Sequence, residues 1–262
     1  MLALSILTTL LASFVTLGAA APAQPSLDQP GDLTTDLSQY EIGGSEFERR
    51  QTSCPRYEVI SARGTGESQS FPRGNAGTVR GILAAVPGGR NYEVVYPATS
   101  NFATGPATGA RDLISRVTTV RRTCPDTQFV FIGYSQGAMV VITAENDGGL
   151  PEGSVAAVIL YGSPYWLPNR PENAGSARSG RGIAAFGSRN TTPSSYQGKT
   201  QDVCNTGDNI CTGSGSIAAH LGYSGSASER AAVEFAAGKL NAALGAGGST
   251  PTNPTQPPTC TC

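Results

Sequence analysis

Ser135 stands at the centre of Gly133-Tyr134-Ser135-Gln136-Gly137, the one G-x-S-x-G of the chain. A serine hydroxyl is a weak nucleophile until a base takes its proton, so the pattern matters only if a base is at hand. The chain contains a single histidine, His220, and a nucleophilic Ser135 would have to use it. The third group of such a relay is a carboxylate that fixes the imidazole tautomer. Folds built on this serine turn run in the order serine, acid, histidine, which admits Asp208, Asp202 and Glu172. Asp208 fits best, because it lies in Cys204-Asn205-Thr206-Gly207-Asp208-Asn209-Ile210-Cys211, a small loop between two cysteines. Together the three would transfer an acyl group through a covalent ester on Ser135. Taken singly, each has a plainer explanation: a serine that caps a helix, and a histidine that packs on a loop. Their order carries the catalytic reading.

Such residues need a frame. The apolar run 128–132 reads as a buried strand and 138–145 as the start of a helix packed on a sheet. Strand, tight turn and helix hold a serine at the tip, with glycines expected on either side to let the backbone turn. The helix then aims its first N–H groups at the point where negative charge would develop. Other segments repeat the alternation. Strands are predicted at 57–62, ending in the turn Arg63-Gly64-Thr65-Gly66-Glu67, at 92–96 and at 155–161. Helices are predicted at 78–86, stopped by Pro87-Gly88-Gly89, at 107–122 with Leu113, Val117 and Val120 on one face, and at 229–244. Strands alternating with helices give an α/β fold, a mostly parallel sheet covered on both faces in three layers. Residues 167–199, rich in Pro, Gly and Ser, read as an extended surface excursion with one apolar piece at 183–186. Asn190-Thr191-Thr192 within it is an N-glycosylation sequon.

The 262 residues are 39% apolar and 14% charged, with a formal net charge of −1. That is enough chain for one sizeable core. The low, balanced charge excludes the electrostatic footprint of a nucleic-acid or anionic-membrane binder. Residues 1–20 form an apolar run closing on Gly18-Ala19-Ala20, which reads as a secretory signal. The run is shorter than the roughly 20 apolar residues of a membrane span and is interrupted by Ser and Thr. Residues 21–50 read as a propeptide cut after Arg49-Arg50, or as an uncleaved disordered arm. The catalytic domain then occupies 51–245, and 246–262 has linker composition.

The six cysteines behind a signal sequence imply disulfides, although six allow fifteen pairings. Their spacing matches no zinc site, and no metal or other cofactor is expected. With Cys260 and Cys262 left to the tail, Cys204 with Cys211 would close the acid loop. Cys54 with Cys124 would then tie the first strand to the approach of the serine strand.

Thr123-Cys124-Pro125-Asp126, the serine motif through Ala138, the Cys204–Cys211 loop and His220 together resemble the fungal cutinases and their carbohydrate-esterase relatives. Ala62-Arg63-Gly64-Thr65 is similar to that family's first-strand motif, and the likeness runs from about 54 to 244. The resemblance implies a small lidless α/β-hydrolase with Ser135, His220 and Asp208 as its triad. It implies an oxyanion hole from the hydroxyl and N–H of Thr65 and the N–H of Gln136. Ile217, Ala218, Ala219 and Leu221 are expected to form a modestly apolar rim for the acyl chain. The protein is expected to be a secreted, monomeric esterase acting on cutin-like polyesters or short- to medium-chain acyl esters. The alternatives are an acetylxylan esterase and a non-catalytic lipid or surface binder. The acid loop's Asn205-Thr206-Gly207-Asp208 favours the cutinase branch, whereas 167–199 is longer than in compact cutinases.

Overall fold

The computed structural model describes residues 54–185 and 190–246. The targeting segment, the arm, the tail and its cysteines lie outside the described residues. In chain order the elements are β1 (Tyr57–Ala62), α1 (Ala76–Ala85), β2 (Gly89–Glu93), α2 (Gly105–Thr123), β3 (Gln128–Tyr134) and α3 (Gln136–Asp147). There follow β4 (Val155–Tyr161), β5 (Asn173–Ala174), α4 (Ser194–Gln197), β6 (Thr200–Val203), α5 (Ile217–His220) and α6 (Ala227–Ala246).

The strands form one parallel sheet in the order β2-β1-β3-β4-β6-β5. Every residue of β1 and β4 is buried, as apolar strands covered on both faces must be. Successive side chains point to opposite faces, and the core divides accordingly. Ile60, Phe129, Phe131, Val158 and Leu160 face α2 and α3, packing on Leu113, Val117, Val140 and Val141. Tyr57, Val59, Val130, Ile132 and Ile159 face α1 and α6, packing on Val79, Ile82, Ala232, Ala236 and Leu240. The α/β frame read from the sequence is therefore the observed one.

Three local differences have physical causes. The second strand is Gly89–Glu93, not 92–96, because it is an edge strand and needs no apolar run. Its register pairs Tyr57 with Gly89, where a Cβ would come within 2.1 Å of the Tyr57 ring. The strands β5 and β6 and the turn α5 were not expected, since elements of two to four residues are too short to show a periodicity. The stretch 167–199 is not simply a surface excursion. It adds β5 to the sheet edge, and its Glu172, Ala177, Ala185 and Thr192 are buried. It does so by satisfying the β6 backbone, with Asp202 N–H donating to Glu172 O at 2.9 Å and Cys204 N–H to Ala174 O at 3.0 Å.

Both core bridges are present. Cys54–Cys124 joins the approach to β1 with the end of α2, and Cys204–Cys211 closes the loop after β6. From β1 the winding goes out to β2 and then returns to β3 on the other side. The reversal opens a crevice at the carboxyl ends of β1 and β3, the place where such sheets bind ligands. Ala62 and Gly133 pair directly there. The segments leaving that pair carry Thr65 and Ser135.

Candidate active site

Ser135 holds φ 55 and ψ −118 between β3 and α3. This conformation is unfavourable for a residue with a side chain, so neighbours must impose it. Its N–H donates to Tyr161 O at 2.8 Å, and its carbonyl accepts from Ala138 N at 2.9 Å. Neither Gly133 nor Gly137 has a positive φ; they are glycine because of close approach. A Cβ on Gly133 would meet Gly137 O at 2.5 Å, and one on Gly137 would meet Ala62 O at 1.9 Å. The glycines let the elbow press onto the end of β1, and the serine itself takes the strained dihedral. Its hydroxyl makes no capping bond to α3, which removes the plain capping explanation.

His220 ends α5, a single turn capped by Ser216, whose Oγ accepts from Ala219 N–H at 3.2 Å. His220 Nδ1 lies 3.0 and 2.9 Å from the two oxygens of Asp208. Asp208 is buried and also accepts from Ile210 N–H at 2.8 Å, Cys211 N–H at 3.3 Å and Tyr223 O–H at 2.6 Å. Burial alone would raise the Asp208 carboxyl. The bonds from His220 and Tyr223, the imidazole charge and the Ile210 N–H outweigh it and hold the group below its usual range. An ionised carboxylate can only accept, so Nδ1 carries the proton and Nε2 remains the basic nitrogen. Tyr134 stacks on the imidazole with centroids 5.1 Å apart, and its hydroxyl donates to His220 O at 3.1 Å. On the other side sits Gly162 at φ 56, where a Cβ would come within 2.6 Å of His220 Cε1 and 2.8 Å of Asp208 Oδ2.

Ser135 and His220 line one cleft of about 250 Å³. A larger hollow of about 610 Å³ lies beside the Cys54–Cys124 bridge and holds none of these groups. Thr65 and Glu67 face the cleft from the turn after β1, and Phe102, Ile183, Ile210, Ile217 and Leu221 supply apolar walls. Ile217 and Leu221 are four apart and so share one side of the helical turn. They are 55% and 67% exposed. Ala218 and Ala219 occupy the other sides of that turn and do not line the cleft. Glu67 holds the Thr65 turn, accepting from Gly64 N–H at 2.7 Å, Arg73 N–H at 2.9 Å and Gly74 N–H at 2.8 Å. Gln136 is the first residue of α3, where N–H groups have no intrahelical acceptor, and its side chain turns to Thr99 O at 2.9 Å.

The rival acids sit elsewhere. Asp202 and Glu172 are buried with Glu145, and Glu172 pairs with Arg170 at 3.1 Å. Asn190 of the sequon is half-buried. Among the described residues no three His, Cys, Asp or Glu gather as metal ligands, and no helix is long and apolar enough to cross a membrane. Sequence reasoning missed Tyr223, Glu67 and Gly162. Their traces were an aromatic three residues after the histidine, an acid closing the Thr65 turn, and a glycine directly after a buried strand.

A parallel three-layer sheet, with a serine elbow, a histidine and a buried aspartate converging at its carboxyl edge, defines an α/β-hydrolase. The Cutinase family model matches residues 53–240, and the chain belongs to that family. It is similar to Cutinase 11 of Verticillium dahliae, 34% identical over 224 residues spanning 76% of this chain and 72% of that one. It is also similar to the acetylxylan esterase of Hypocrea jecorina, 30% identical over 234 residues covering 80% and 74% of the two chains. The solved structure of a cutinase-like protein from Cryptococcus sp. aligns with a TM-score of 0.63 at 30% identity, covering 74% of this chain and 97% of that one. The protein is a carboxylic ester hydrolase.

Proposed function

We propose that the protein is a secreted serine esterase of cutinase type, with Ser135 as nucleophile, His220 as base and Asp208 as the orienting acid. The observation that carries this reading is the shared cleft of Ser135 and His220, walled by Phe102, Ile183, Ile217 and Leu221. As Ser135 Oγ bonds to the ester carbonyl carbon, His220 Nε2 takes its proton and the carbonyl oxygen becomes an oxyanion. The N–H and hydroxyl of Thr65 and the N–H of Gln136 hold that oxyanion, each donor being worth roughly 3 kcal/mol. Collapse breaks the bond to the alcohol, which leaves with the proton from Nε2. Water then gives its proton to His220, attacks the acyl carbon and restores Ser135 with release of the acid. This sequence needs no cofactor.

The substrates are cutin-like polyesters and esters of about four to six acyl carbons, because the rim offers modest apolar contact. Each methylene buried is worth about 0.8 kcal/mol, so the preference is graded. Deacetylation of plant polysaccharide is the second reading, favoured by the likeness to the H. jecorina esterase. Comparing p-nitrophenyl acetate, butyrate and hexanoate with cutin and acetylated xylan separates the two. Rates rising from acetate to butyrate support the first, and a steady fall with acetate best supports the second.

The two bridges suit an oxidising compartment and, with the apolar N-terminal run, support secretion. The protein works as a monomer and carries glycan at Asn190. N-terminal sequencing, glycosidase treatment and sedimentation of culture-supernatant protein test these points.

A further inference from the structure

Tyr223 lies three residues past His220 and is 1% exposed, yet the reaction just described makes no use of it. Its hydroxyl links the start of the acid loop to Asp208 in the middle of it. The oxygen accepts from Asn205 N–H at 3.2 Å, which commits a lone pair and aims the hydrogen at Asp208 Oδ2, 2.6 Å away. Burial and then the Asp208 charge push the phenol far above its ordinary range, so it stays a donor wherever the enzyme works. Its ring is fixed by Tyr161, with centroids 5.4 Å apart, and edge-on to His220 at 6.4 Å.

We propose that Tyr223 is a positioning residue of the relay: its hydroxyl holds one oxygen of Asp208 and thereby sets both the orientation of His220 and the pH at which activity falls in acid. This rests on the Ser135–His220–Asp208 reading. A hydrogen bond to a carboxylate spreads its charge and weakens its pull on the neighbouring imidazolium. Without that bond Asp208 pulls harder on the imidazolium that the reaction forms, and the acid limb of kcat/KM moves up. Asp208 also gains freedom that an oriented base cannot tolerate without loss of rate. The other titratable groups facing the trio are Tyr134 on β3, Tyr161 on β4, Asp202 on β6 and Glu67 from the turn after β1. None of these bonds to the Tyr223 hydroxyl, whose partners among the described residues are Asn205 N–H, Asp208 Oδ2 and, at 3.6 Å, Cys211 Sγ.

The test is the pH profile of butyrate ester hydrolysis by Tyr223→Phe, beside Tyr161→Phe. Tyr161 is an equally buried phenol whose ring packs on Tyr223 but whose hydroxyl bonds to Thr78 Oγ1 at 2.9 Å and not to Asp208. Tyr223→Phe is expected to lower kcat about tenfold with KM within about twofold, and to move the acid limb up by about half a pH unit. Tyr161→Phe should lower the melting temperature comparably and leave the limb in place. Should Tyr223→Phe not fold, Tyr223→3-fluorotyrosine keeps the shape and strengthens the donor, and its limb should move down. An unmoved limb in the folded variant, or an equal shift in Tyr161→Phe, overturns the proposal and makes Tyr223 a packing residue. With Ser135→Ala and His220→Ala inactive, such a failure belongs to Tyr223 alone; turnover by either variant overturns the triad and this proposal together.

Discussion

Asp208 and Asp202 are both buried, one in the loop after β6 and the other within it, and the protein treats them in opposite ways. Asp208 accepts from four donors and is held below the usual carboxylate range in spite of burial. Asp202 shares its site with Glu145 and Glu172. Among the described residues Asp202 Oδ1, both Glu145 carboxylate oxygens and Glu172 Oε2 have no hydrogen-bond partner. Burial, and then the neighbouring carboxylates, push Glu145 and Asp202 upward, with Lys199 opposing at Glu145 only. Burial therefore does not decide the state of a carboxyl; the donors around it do. One site surrounds its carboxylate with donors, and the other leaves carboxyl oxygens of Glu145 and Asp202 without them.

The widest separation of the two sites is catalytic. Asp208→Asn removes the group that fixes the His220 tautomer and should lower kcat by about 10⁴. Asp202→Asn and Glu172→Gln should leave kcat within about twofold. Steady-state rates on p-nitrophenyl butyrate decide this, and a mild effect at Asp208 with a large one at Asp202 would reverse the assignment.

A smaller effect comes from the frame of the charged site. Replacing Cys204 and Cys211 by Ser frees the loop holding Asp208, and a displacement near 1 Å can cost about 10² in rate. The Cys54–Cys124 bridge closes a separation of 70 residues and is worth about 4 kcal/mol in the chain-entropy model, against about 2–3 for the short bridge. The short-bridge double variant should lose mainly kcat and the long-bridge variant mainly melting temperature. Wild-type kcat without the short bridge would mean that the bonds from Tyr223 and the loop backbone suffice.

The smallest effect should separate the sites by pH. Glu145 and Asp202 have raised values in the folded chain, so it binds more protons than the unfolded chain once pH passes the ordinary carboxylate range near 4. Stability from this cluster is complete in acid and falls as pH rises. Asp208, held low, contributes in the other direction: its share is present above the ordinary carboxylate value and is lost as pH falls through the folded one. Glu145→Gln should leave the melting temperature unchanged near pH 4 and raise it by about 2–4 °C near pH 7.5, for about 1 kcal/mol. Calorimetry at the two pH values checks this, and equal shifts at both would mean that Glu145 is charged throughout.

The contrast was only half legible in the sequence. The serine elbow, the lone histidine and the cysteine-flanked aspartate declare themselves by residue type and order, and β1, β3 and β4 by continuous apolar runs. Order alone could not separate Asp208 from Asp202 and Glu172, because what separates them is who donates to each, and those donors come from backbone turns and Tyr223. The strand β6 was illegible because Thr-Gln-Asp-Val carries one apolar residue, its pairing being dictated by β4 on one side and β5 on the other. The rim was partly legible: Ile217 and Leu221 follow once the turn α5 is known, and only its geometry sets Ala218 and Ala219 aside.

The positive φ of Ser135 has a consequence for the history of such a chain. A residue held in that region costs about 1–3 kcal/mol, which glycine at the same place would not incur. Part of that gain would be offset by glycine's freer unfolded chain, about 0.4–1 kcal/mol. A serine at this position is thus tolerated only while something other than stability selects for it. A lineage kept for endurance and released from catalysis would drift to glycine at 135 before disturbing the rest of the sheet, leaving an inert scaffold that outlasts its active ancestor.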